Sequence, residues 1–153
     1  MDSQIEKEYD NHIELIQARG LTLLAKADSG HWIVFDAHEN VGGNDAAIRP
    51  FETFLSSLAG CTGMDVLSIL KKMKVEIVDF KMNMFVERAK QHPKIPTEIS
   101  IEYLFVGDKI PKEQVEKAIT LSQDKYCSVS AVVKKAGIPV NWRYRIVPSS
   151  DKE

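Results

Sequence analysis

Between Pro50 and Met73 the chain runs PFETFLSSLAGCTGMDVLSILKKM, with charge only at Glu52, Asp65, Lys71 and Lys72. No proline follows the first residue, β-branched residues are few, and lysines at 71, 72 and 74 suit the C-terminal end of a helix dipole. These features predict a helix over 51–73, roughly 34 Å long at 1.5 Å per residue. Apolar residues stand almost all round it: Phe54, Leu55, Leu58, Ala59, Met64, Val66, Leu67, Ile69 and Leu70. A helix apolar on every side must be buried, so in a chain of 153 residues the cover has to come from a wrapped sheet or a partner subunit. The uncharged stretch inside it, Thr53 to Met64, is too short and too spotted with polar residues to read as a bilayer span.

The remaining segments supply the cover. Residues 1–11 read as a flexible N-terminal extension. His12–Gln17 and Leu21–Ala27 read as short strands, with Gly20 between them, and Asp28-Ser29-Gly30 turns the chain into HWIVFD, His31–Asp36. That makes a meander, followed by the loop AHENVGGNDAAIRP. Beyond the helix, Asp79–Ala89 alternates Phe80, Met82, Met84 and Val86 with polar residues. Thr97–Val106 alternates Ile99, Ile101, Tyr103 and Phe105 with Glu98, Ser100 and Glu102. Pro111 to about Tyr126 is an amphipathic helix with Val115, Ala118, Ile119 and Ser122 on one stripe. A short helix from Cys127 to Ala136 stops at Gly137, and Pro139–Val147 is a final strand. The order β-β-α-β-β-α-α-β describes one α+β domain over residues 1–153 with an antiparallel sheet.

Composition narrows the function. A net charge of −2 leaves no footprint for nucleic acid or an anionic membrane. The acidic N-terminus lacks the apolar core of a secretory signal, which places the chain in the cytoplasm, where a permanent disulfide is not expected. His38, Glu39, Asp36 and Asp45 fit no standard metal-ligand spacing, and GGND lacks the lysine and spacing of a phosphate loop.

Two cysteines remain, Cys61 and Cys127. A cysteine in an apolar helix is more often a packing residue than a nucleophile. Cys127 begins a helix, where backbone N–H groups lower a thiol pKa, so helix-terminus physics makes it the more acidic of the two. Cys61 needs a cation, because burial and Asp65 one turn later both oppose its ionisation.

Taken together, PFETFLSSLAGCTGMDVLSILKK and KYCSVSAVVKKAG, with the LTLLAKADSGHWIVFDA meander, resemble the OsmC/Ohr family of thiol-dependent peroxidases and its YhfA-like branch. The resemblance implies an antiparallel sheet wrapped around the long central helix and an intertwined homodimer with its sites at the subunit interface. It also implies that Cys61 is the peroxidatic thiol and Cys127 the resolving one, reversing the helix-terminus ranking. Glu52 matches the family's glutamate, although about half a turn of rotation separates positions 52 and 61 on an unbroken helix, and a bent first turn would have to bring it round. Arg49, which abuts the motif, is the favoured counterpart of the family's activating arginine, with Arg19 as the second candidate. The activity implied is reduction of organic hydroperoxides, regenerated by an external dithiol of the lipoyl kind, with no metal or organic cofactor. Two rival readings stand beside it: a non-enzymatic dimer of this fold that binds a small apolar ligand, and a slowly turned-over redox sensor.

Overall fold

The computed structural model describes residues 9–151, so most of the expected N-terminal extension lies outside the described residues. The chain divides into two compact units, one up to Phe54 and one from Leu55 onward.

The first unit holds a three-stranded antiparallel sheet of β1 (Ile13–Arg19), β2 (Thr22–Ala27) and β3 (Trp32–Phe35). β3 falls within HWIVFD, the third segment of the expected meander, which the order β-β-α had not counted as a strand. β1 pairs with β2 from Ile13–Ala27 to Arg19–Thr22, with an irregularity between Gln17 and Arg19, and Leu24 faces Val34 across the second pair. The loop that follows is organised by one carboxylate. Buried Asp36 accepts the backbone N–H groups of Ala37 at 2.7 Å, Asn44 at 3.3 Å and Ala46 at 3.1 Å, and the Thr22 hydroxyl at 3.2 Å. Gly43 is required there, because a Cβ would fall 2.0 Å from the Ala37 carbonyl oxygen.

α1 (Pro50–Lys72) begins at this unit's end. Pro50 occupies the first helical position, where its missing N–H costs nothing. Glu52 reaches back to accept the Arg49 N–H at 2.9 Å, one half of a capping box.

The second unit carries the rest of α1 and a sheet ordered β4 (Asp79–Arg88), β5 (Pro96–Val106), β6 (Val140–Val147). β4 and β5, the two strands that alternation located, pair antiparallel with Met82 opposite Tyr103. β5 and β6 are parallel, with Ile99 opposite Val140 and Phe105 opposite Ile146, which corrects the all-antiparallel expectation. The reason is the crossover between them: α2 (Lys112–Leu121) and α3 (Ser128–Lys135) carry the chain back to the starting edge, a connection a parallel pair demands. Glu102, 9% exposed, is offset by Arg143 at 3.3 Å and Arg145 at 3.0 Å from the neighbouring strand.

Within this unit α1 buries Leu58, Thr62, Val66 and Leu70, a stripe at every fourth residue, together with Gly63. A Cβ on Gly63 would stand 3.0 Å from Met82 Sδ and 3.5 Å from Phe80 Cε1, so the glycine lets helix and strand approach closely. Leu58, Val66 and Leu70 are fully buried, worth about 1.5–3 kcal/mol each. Phe80 and Phe105 pack at 5.2 Å between ring centres, and Tyr103 stacks on Phe105 at 6.3 Å.

The packing within this unit does not cover every side of α1: Met64 is 74% exposed and Leu67 37%. Taken whole, α1 is also long and apolar enough, by length and composition, to cross a bilayer, which the shorter uncharged run did not suggest. Its Gly63 contact with β4 and its buried threonine are the packing of a core helix.

Candidate active site

Cys61 lies half-buried in the middle of α1, and Asp65 follows one turn later on the same face. Cys127 stands immediately before α3 and is 2% exposed. Both thiols are free, and their Sγ atoms and a carboxylate oxygen of Asp65 all lie within 4.8 Å of one another. Two cysteines far apart in sequence and one acid thus converge on a single point.

The local chain explains how Cys127 arrives there. The helix expected to run to about Tyr126 does reach it, but it is α-helical only to Leu121 and then changes type. Residues Ser122–Tyr126 widen into a π turn closed by the Cys127 N–H on the Ser122 carbonyl at 2.9 Å. The extra residue in that turn buries both Ser122 and Gln123. Cys127 then takes an extended conformation and caps α3. Its sulfur fills the role of the usual cap oxygen, accepting the Ser130 N–H at 3.3 Å.

Behind the thiols is a buried polar network that sequence reasoning missed. The Thr62 and Tyr103 hydroxyls are 2.7 Å apart, and the Gln123 amide donates to both at 3.0 Å. Ser130 donates to Gln123 Oε1 at 2.7 Å. The Ser122 hydroxyl lies 2.9 Å from Thr62 Oγ1 and 3.0 Å from Asp65 Oδ2. A hydroxyl has one proton to give, so with Asp65 ionised Ser122 donates to the carboxylate and accepts from Thr62. The available signal was Ser122 itself, a polar residue on the apolar stripe of α2, and Thr62 on an otherwise apolar helix face.

The electrostatics reverse the helix-terminus expectation for Cys127. Burial is the largest influence and pushes its thiol up, and its hydrogen bond with Cys61 pushes the same way. The Ser130 N–H pulls down, as a helix start should, while the charges of Cys61 and Asp65 add to the rise. The result is a pKa of about 11. Desolvation outweighs one cap hydrogen bond. Burial likewise raises the Tyr103 phenol, against the Thr62 and Gln123 hydrogen bonds, so it stays protonated.

Arg49 and Glu52 belong to the first unit. The Arg49 guanidinium pairs with Asp45, donates to the Ala47 carbonyl, and has Nη2 2.9 Å from His38 Nδ1. Glu52 holds the Arg49 backbone N–H. Arg19 ends β1, exposed, in register with Thr22.

Known proteins resemble the chain over most of its length. The family described as OsmC-like protein matches residues 42–143, a span that includes both cysteines. Protein YhfA of Escherichia coli K12 is 34% identical over 128 residues, covering 84% of this chain and 92% of YhfA. A crystal structure of a hypothetical protein from Aquifex aeolicus VF5 is 34% identical with a TM-score of 0.75, covering 92% of this chain and 99% of that one. The organic hydroperoxide resistance protein OsmC from Legionella pneumophila shares the fold at a TM-score of 0.62 and 13% identity, covering 91% of this chain and 98% of its own. The chain belongs to the OsmC/Ohr family of OsmC-like proteins.

Proposed function

We propose that this protein is a thiol-dependent peroxidase for organic hydroperoxides, with Cys61 as the attacking thiol and Cys127 as the resolving one. The observation that carries the reading is the pair of free sulfurs within 4.8 Å, one half-buried and one buried. Cys127 holds its proton at neutral pH, so the nucleophile of the pair is Cys61. Solved relatives of the same fold carry the name organic hydroperoxide resistance protein.

The Cys61 thiolate attacks the distal oxygen of the hydroperoxide and breaks the O–O bond. With one proton taken up, this leaves Cys61 sulfenic acid and an alcohol. Cys127 then attacks the Cys61 sulfur, forming the S–S bond and releasing water. Two influences that raise the Cys127 pKa, its hydrogen bond to Cys61 and the Cys61 charge, end once Cys61 carries a neutral sulfenic acid. Resolution thus meets a Cys127 thiol that ionises more readily than in the reduced pair, although burial still opposes it. An external dithiol, of the lipoyl kind, exchanges with the disulfide and returns both cysteines to the thiol form. Arg49 serves as the cation that supports the thiolate and Glu52 as its carboxylate partner, in a cytoplasmic homodimer whose second copy covers the exposed side of α1.

The test is peroxide consumption with cumene hydroperoxide and hydrogen peroxide in the presence of a panel of dithiols. Stoichiometric cumene hydroperoxide should lower the intact mass by two hydrogens, and turnover should require a dithiol. An unmoved mass and no consumption would leave an inert dimer that binds an apolar ligand.

A further inference from the structure

Cys61 and Cys127 supply two soft sulfur donors and Asp65 one hard oxygen, and the three donor atoms lie within 4.8 Å of one another. Around a tetrahedral zinc ion with Zn–S near 2.3 Å and Zn–O near 2.0 Å, neighbouring donors stand about 3.6 Å apart. The triad therefore needs a contraction of about 1.2 Å at most to close on one ion.

Its surroundings are those of an oriented ligand set. The Ser122 hydroxyl bonds Asp65 Oδ2 at 3.0 Å, fixing the carboxylate. The Ser130 N–H bonds Cys127 Sγ at 3.3 Å, which orients that sulfur. Ser122 is in turn held by Thr62 at 2.9 Å, so the second layer is anchored in the buried network. Cys61 is only half-buried, which gives an ion a way in. Three groups that are anionic when deprotonated, gathered in a partly dry site, repel one another until a divalent cation joins them.

We propose that Cys61, Asp65 and Cys127 form a site for one thiophilic divalent cation of the zinc class when both thiols are reduced. Water completes the tetrahedron. Two thiolates with one carboxylate select zinc or cobalt over magnesium and calcium, which prefer all-oxygen shells. Occupancy ties up both sulfurs, so the metal-bound form is closed to thiol chemistry and oxidation to the disulfide expels the ion. The site is independent of the peroxidase reading, since it concerns the reduced protein with no peroxide present.

The experiment titrates the reduced, chelator-washed chain with Co²⁺ in the absence of oxygen. Thiolate-to-cobalt charge-transfer bands in the near ultraviolet should saturate at one ion per chain, and Zn²⁺ should remove them. Asp65→Asn keeps an acceptor for Ser122, so the fold is spared, yet it should weaken Co²⁺ binding at least about tenfold. Cys61→Ser and Cys127→Ser should each lose the bands, and protein oxidised with diamide should bind nothing. As a check that needs no variant, Zn²⁺ should slow alkylation of both cysteines. Absence of the bands, saturation at one ion per two chains, or Asp65→Asn binding as tightly as the parent would overturn the three-ligand site. A protein that consumes peroxide yet shows no cobalt bands would sink this inference alone.

Discussion

The hydroxyls of Thr62 and Tyr103 meet at 2.7 Å, joining α1 to the middle of β5 one residue away from Cys61. Both side chains are fully buried, and Thr62 is also the partner of Ser122 and Gln123. Thr62→Val keeps the shape and removes the hub, leaving buried hydrogen-bond groups without partners. Such a loss costs about 1–3 kcal/mol. Urea denaturation should show a lower midpoint with an unchanged slope, and Thr62→Ser should restore most of it.

Asp36 makes the first unit acid-sensitive. Desolvation pulls its carboxyl pKa up, but the N–H groups of Ala37, Ala46 and Asn44 and the Thr22 hydroxyl together outweigh that and hold it below the ordinary value of 3.8. A folded pKa below the unfolded one gives stability that is complete above the unfolded value and is lost as pH falls through the folded value. Asp36→Asn should therefore lower the melting temperature at neutral pH and shrink the further loss on acidification below about pH 4. An acid limb identical to the parent's would show that Asp36 does not control it.

How much of this was legible beforehand can be judged element by element. The strand from Pro96 to Val106 was readable because Ile99, Ile101, Tyr103 and Phe105 alternate, and those four are buried. Alternation also found Val140–Val147, but it carries no information about strand direction, so the parallel pairing with β5 was not there to read. The turn at Ser122–Tyr126 was lost for a related reason. SQDKY is compatible with helix, and only its packing selects the wider turn that buries Ser122 and Gln123. Asp65 was placed on the Cys61 face by spacing alone, yet the thiol it helps to raise is Cys127, from a segment whose approach no local pattern encodes.

Exposed apolar surface bears on assembly. Met64 on α1 is 74% exposed, and in the first sheet Ile13, Leu15, Trp32 and Val34 are all open to solvent at 39% or more. A three-stranded sheet bare on this scale is the surface that the proposed dimer would cover. Sedimentation should find a dimer down to nanomolar concentration, and Met64→Glu should dissociate it with loss of thermal stability. A folded monomer of the parent at that concentration would contradict the proposal.

Arg49 has one donor in reserve. Its Nε is buried with no hydrogen-bond partner among the described residues, while its other nitrogens are taken by Asp45, Ala47 and His38. If this guanidinium supports the Cys61 thiolate, Arg49→Ala should slow iodoacetamide alkylation of Cys61 near neutral pH at least about tenfold. Arg49→Lys should recover part of the rate. Alkylation unchanged in Arg49→Ala but slowed in Arg19→Ala would assign the role to Arg19.

The two thiols are expected to fail differently. Cys61→Ser removes the attacking sulfur, and Cys127 cannot substitute, because burial, the largest influence on its thiol, still opposes its ionisation. That variant should consume no organic peroxide. Cys127→Ser keeps the nucleophile and loses only the group that condenses with the sulfenic acid. It should react once, stall, and gain further oxygen in excess peroxide, passing to the sulfinic and sulfonic acids. Intact mass separates the cases: a loss of two hydrogens in the parent, no change in Cys61→Ser, and stepwise gain of oxygen in Cys127→Ser. If Cys127→Ser turned over with a dithiol as fast as the parent, the external reductant would be reaching the Cys61 sulfenic acid directly. The proximity of the two sulfurs would then serve something other than resolution.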